Sequence, residues 1–70
     1  MNDETFNMSM RKFLKTVGVT SQQKIEEAVR RAQERGALPE GPLPVRMVLT
    51  IEPLGLAHEV NGEIRTEGSA

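Results

Sequence analysis

Apolar side chains return every three or four residues in the first half of the chain and every second residue in the other half. Phe6, Met10, Phe13, Leu14 and Val17 stand at offsets of 0, 4, 7, 8 and 11, the 3.6-residue period of an amphipathic helix. This predicts a first helix over residues 3–17. Asn2 or Asp3 can accept hydrogen bonds from its first free amides, and Arg11, Lys12 and Lys15 lie toward its negative end. Gly18 is the expected stop, because glycine takes a left-handed cap without penalty. Thr20 and Gln23 then have the spacing of a capping box, which predicts a second helix over 21–35. Ile25, Ala28, Val29 and Ala32 share its inner side, Glu26–Arg30 and Glu27–Arg31 are acid-before-base pairs four apart, and Gly36 ends it.

Residues 37–44, Ala-Leu-Pro-Glu-Gly-Pro-Leu-Pro, hold three prolines and read as a loop, since proline removes backbone donors and turns its predecessor away from helix. The period then changes to two. Val45, Met47, Leu49 and Ile51 alternate with Arg46, Val48, Thr50 and Glu52, predicting a strand over 45–52. Pro53-Leu54-Gly55 is the turn, and a returning strand runs over 56–66 with Leu56, His58, Val60 and Ile64 on one parity. Asn61-Gly62 interrupts it and has two readings, a bulge in one long strand or a hairpin turn into a third short strand. The tail, 67–70, is expected to fray. The predicted fold is therefore one small α+β domain over 1–70, two N-terminal helices packed on a C-terminal antiparallel β-hairpin (ααββ).

Size bears on how such a unit is stabilised. With 70 residues, no cysteine and Phe6 and Phe13 as its only aromatics, the chain has no disulfide, no thiolate nucleophile and no walls for a deep cofactor cavity. A lone core this small contributes roughly 3–5 kcal/mol, and a two-stranded hairpin has two open edges. Pairing an edge with a second copy would make a four-stranded sheet, so a homodimer is expected. The net charge of -1 creates no field toward nucleic acid or anionic lipid. Its distribution is uneven, with seven basic and five acidic residues in 1–36 against two and five in 37–70, which two solvated faces explain. Met1-Asn2-Asp3-Glu4 is acidic where a secretory signal is basic, and no apolar run approaches a membrane span. A cytoplasmic location is expected.

The search for chemistry finds little. His58 is the single histidine, and its parity with Leu56 and Val60 places it as a partly buried residue at the margin of the core. One histidine without cysteine falls short of zinc-ligand spacing, so no metal is expected. The glycines are scattered and make no phosphate-binding array. No nucleophile has an activating neighbour, so neither an enzyme nor a cofactor is expected. The sharpest alternative is a helix-turn-helix over 13–30, with Thr20, Ser21, Gln22, Gln23, Lys24 and Arg30 as nucleic-acid contacts. Against it stand Glu26 and Glu27 in the would-be recognition helix and the missing third helix. The apolar stripe of the first helix, flanked by Arg11, Lys12 and Lys15, also suits a membrane surface, but the hairpin needs the same stripe as cover.

The opening Met-Asn-Asp-Glu-Thr-Phe-Asn-Met-Ser-Met-Arg-Lys-Phe-Leu-Lys-Thr-Val-Gly-Val-Thr-Ser-Gln, the Ile25-Glu-Glu-Ala-Val-Arg helix and the Met47-x-Leu-Thr-Ile-Glu strand resemble a family of short bacterial proteins classed as a domain of unknown function. The resemblance covers nearly the whole chain and is densest over 4–29. It implies no activity, substrate or catalytic residue. The expected role is a protein-interaction module, with Arg46, Val48, Thr50, Glu59 and Arg65 on the exposed side of the hairpin as the partner surface, and the chain itself or another protein as partner.

Overall fold

The computed structural model describes residues 1–67 as one long helix followed by an antiparallel hairpin. The chain divides into two compact units, Met1–Leu38 and Pro39–Ala70. The first is helix α1, Asp3–Glu34. The second is built from strand β1, Leu43–Ile51, a 3-10 turn, Glu52–Leu54, and strand β2, Leu56–Ile64. The α+β class and the two-stranded hairpin are as expected. The two N-terminal helices are not, for they form a single helix of 32 residues.

Helix α1 begins where the Asn2 side chain accepts a hydrogen bond from the Thr5 amide at 3.0 Å, and Asp3 and Glu4 occupy its positive end. It passes through Gly18, whose φ is not positive. A break there would leave up to four carbonyls and four amides without helical partners, and a single capping box satisfies only two of them. Keeping the glycine helical costs about 1 kcal/mol relative to alanine, so continuation wins. The polar residues that imitate a cap are accommodated inside the helix. Thr16 Oγ1 donates to the Lys12 carbonyl at 3.0 Å and Thr20 Oγ1 to the Thr16 carbonyl at 2.8 Å.

Gly36 does terminate the helix. With φ of 65° it donates to the Gln33 carbonyl at 3.1 Å, and Ala37 donates to the Ala32 carbonyl at 2.8 Å. These two bonds make a Schellman motif, which satisfies the last carbonyls.

In the hairpin, Gly55 at φ 63° closes the turn by donating to the Glu52 carbonyl at 3.0 Å. The register from that turn is unbroken, from Ile51 opposite Leu56 to Leu43 opposite Ile64. The first strand thus starts two residues before the predicted 45 and takes Pro44 out of the proline-rich loop. Asn61 pairs with Arg46 and Gly62 with Val45, so neither reading of Asn61-Gly62 holds. A tight hairpin turn requires positive φ at such a dipeptide, and neither residue has it. There is no third strand among the described residues. Of the tail expected to fray, residues 68–70 lie outside the described residues.

No described residue is buried. Among the larger apolar residues, Phe6 is 49%, Phe13 52%, Met47 42% and Val60 51% exposed. The most enclosed apolar side chains are half-buried: Val17, Ile25, Val29 and Ala32 on α1, and Leu43, Val45, Leu49 and Ile64 on the hairpin. The cause is visible within each unit. A single helix and a single two-stranded sheet each have one layer, and one layer has nothing of its own to cover its apolar side.

Candidate functional site

The strand alternation sorts the hairpin into two faces. Side chains of alternate parity point to opposite sides, and the register couples the parities across the ladder. Leu43, Val45, Met47, Leu49 and Ile51 share a face with Leu56, His58, Val60 and Ile64. Arg46, Val48 and Thr50 share the other with Ala57, Glu59, Asn61 and Glu63.

Four of the five residues assigned to a partner surface, Arg46, Val48, Thr50 and Glu59, therefore lie together on the polar face. Arg65 follows the end of β2 and is not held by the ladder. Glu59 is the hub of this face. Its carboxylate accepts from Arg46 Nε at 3.1 Å and from Asn61 Nδ2 at 2.8 Å. The Arg46 and Glu59 side chains are 66% and 49% exposed, so water screens the pair and its worth is below about 1 kcal/mol. The contribution of Asn61 escaped the sequence reading. The signal was present in the turn, because a chain reversal over Glu52–Gly55 already places residue 61 opposite residue 46.

His58 sits on the apolar face opposite Leu49, between Leu56 and Val60. It is exposed rather than partly buried. Among the described residues no three histidine, aspartate or glutamate side chains gather into a metal-holding group.

The residues assigned to nucleic acid, Thr20 to Lys24 and Arg30, all fall inside α1, and the helix-turn-helix has no turn. Consecutive helical residues step by about 100°, so Thr20, Ser21, Gln22 and Gln23 surround the helix instead of sharing a side. Three of the assigned side chains have local partners, Thr20 with the Thr16 carbonyl among them. Gln22 Nε2 donates to Glu26 Oε2 at 3.5 Å, and Lys24 Nζ lies 3.9 Å from Glu27 Oε2. Ser21 is half-buried and belongs to the apolar stripe rather than to a recognition surface.

That stripe runs the length of α1. Phe6, Met10, Phe13, Val17, Ser21, Ile25, Ala28 and Ala32 follow one another at steps of three or four, within a band about 120° wide. The merging of the two predicted helices joins their two stripes in phase. No helix among the described residues is long and apolar enough to cross a membrane.

These features define a small α+β protein of one long helix and a two-stranded antiparallel hairpin. A family model described as "Family of unknown function (DUF6494)" matches residues 1–67. The chain belongs to that family. No curated protein and no solved structure matches it.

Proposed function

We propose that this protein is a non-enzymatic, cytoplasmic protein-interaction module that works as a homodimer. The observation that carries this reading is that the helix and the hairpin are each a single layer with an apolar side that the unit itself cannot cover. Met47, Ile51, Leu56 and Val60 on the hairpin are 38–51% exposed, and a two-stranded hairpin with such a face is marginal in water by itself. A second copy can cover either exposure, because every chain carries the same two surfaces. The polar face around Arg46, Val48, Thr50 and Glu59 then remains free for another protein.

Sedimentation velocity or light scattering across a tenfold dilution tests the reading. A dimer that dissociates on dilution supports it. A monomer of undiminished stability at every concentration refutes it.

A further inference from the structure

We propose that two copies associate through α1 packed antiparallel, centred on Val19, with Asp3 of each copy facing Arg35 of the other. This deepens the homodimer reading above and rests on it. The basis is a symmetry in the stripe. Asp3, Phe6, Met10, Phe13, Val17, Ser21, Ile25, Ala28, Ala32 and Arg35 stand at steps of 3, 4, 3, 4, 4, 4, 3, 4 and 3 residues. That series reads the same in both directions; Leu14, inside the same band, and Val29, beside it, lie outside the series and are set by the reversal against Lys24 and Ser9. A helix laid against a reversed copy of itself about residue 19 therefore meets a residue of the series at every position of the series.

The residues brought together are complementary in bulk. Phe6 meets Ala32, Met10 meets Ala28, Phe13 meets Ile25 and Val17 meets Ser21. The large N-terminal half of the stripe thus faces the small C-terminal half of the second copy, which keeps the two axes evenly spaced over a helix about 48 Å long. A parallel pair would set Phe6 on Phe6 and Ala32 on Ala32, crowded at one end and hollow at the other. The large half is also the open one, with Phe6, Met10 and Phe13 40–52% exposed.

Charge selects the same orientation. Asp3 and Arg35 are both exposed and close the stripe at its two ends. Antiparallel packing makes two opposite-charge pairs, whereas parallel packing puts Asp3 on Asp3 and Arg35 on Arg35. The helix dipoles also oppose one another in the antiparallel pair, with each acidic N-terminus beside a basic C-terminus. Ser21, the one polar residue in the middle, is the position nearest the two-fold axis besides Val17. Its hydroxyl can bond to a carbonyl of its own helix, as Thr16 and Thr20 do, so it passes through a tight crossing without an orphaned polar group.

The chain has no cysteine, so a single introduced thiol reports one position. Asp3→Cys and Arg35→Cys, made separately at exposed helix ends and mixed in equal amounts under mild oxidation, are expected to cross-link to each other and hardly at all to themselves. In parallel, Asp3→Arg and Arg35→Asp are each expected to raise the dimer Kd about two- to tenfold, and the two together to restore it. Far-UV circular dichroism confirms that each variant keeps its helix. A persistent dimer whose cross-links are self-to-self, or whose Kd ignores the charge reversals, overturns the antiparallel helix pair and leaves self-association standing. A monomer at all concentrations overturns both, and means that the stripe is covered by some other surface.

Discussion

At Gly18 an added Cβ meets no heavy atom within 4 Å, and the backbone there is helical. Gly18→Ala is therefore expected to stabilise α1 by about 0.5–1 kcal/mol through lost freedom in the unfolded chain, seen as a higher thermal midpoint with no loss of helical ellipticity. Were Gly18 a left-handed cap between two helices, the same change would destabilise by a similar amount, so the sign separates the two. Gly36 gives the opposite outcome. Its φ of 65° places a new Cβ against the preceding carbonyl, and Gly36→Ala is expected to cost about 1–2 kcal/mol although open space surrounds it. Thermal melts of the two variants side by side use each as the control for the other. Asn2 adds a third case. Its side chain holds the Thr5 amide, and Asn2→Ala is expected to lower helix stability by about 0.5–2 kcal/mol, with fraying at the first turn visible in amide hydrogen exchange.

The helix and the hairpin were legible in the sequence to different degrees, for physical reasons. A period is a sum over many residues, so the switch from 3.6 to two near Val45 located the change from helix to strand securely. Gly36 and Gly55 were legible because each follows a run whose period ends there. Gly18 was misread because its signals are local and degenerate. A glycine followed by Thr-x-x-Gln serves equally as a stop and cap or as mid-helix residues whose hydroxyls bond backward, and only the in-phase step from Val17 to Ser21 to Ile25 distinguishes them. Asn61-Gly62 misled for the same reason, since its turn-forming ability went unused in a strand whose register was already set at Gly55. Of the polar face of the hairpin, Arg46, Val48, Thr50 and Glu59 followed from alternation alone, while the pairing of Arg46 with Glu59 needed the register. That pair stands diagonally across the ladder, because Glu59 is directly opposite Val48. A double-mutant cycle of Arg46→Ala and Glu59→Ala is expected to return a coupling of about 0.2–1 kcal/mol that fades in high salt. A larger, salt-insensitive value would mean that this face is shielded from water in solution.

What no period could disclose is how the apolar sides are covered, because that depends on contacts far apart in sequence or between chains. The consequence falls on stability. An isolated helix gains little from propensity alone, and a lone hairpin is marginal, so each unit needs cover from outside itself. If association supplies the missing layer, unfolding and dissociation are one event, two unfolded chains from each folded dimer. Raising the total concentration tenfold then favours the folded dimer by RT ln 10, about 1.4 kcal/mol per dimer or about 0.7 kcal/mol per chain. For a chain of this size that corresponds to a midpoint rise of roughly 3–6 °C per decade. Differential scanning calorimetry over two decades of concentration reads this directly. A steady rise of that size ties folding to association. A midpoint that stays flat while sedimentation still finds a dimer means instead that each chain folds first and the interface adds nothing to its stability. Phe13→Ala sharpens the comparison, because it removes bulk from the middle of the α1 stripe at a site already 52% exposed. In a monomer such a change lowers the midpoint only slightly, whereas in an associating chain it is expected to lower the midpoint by several degrees and most strongly in dilute solution.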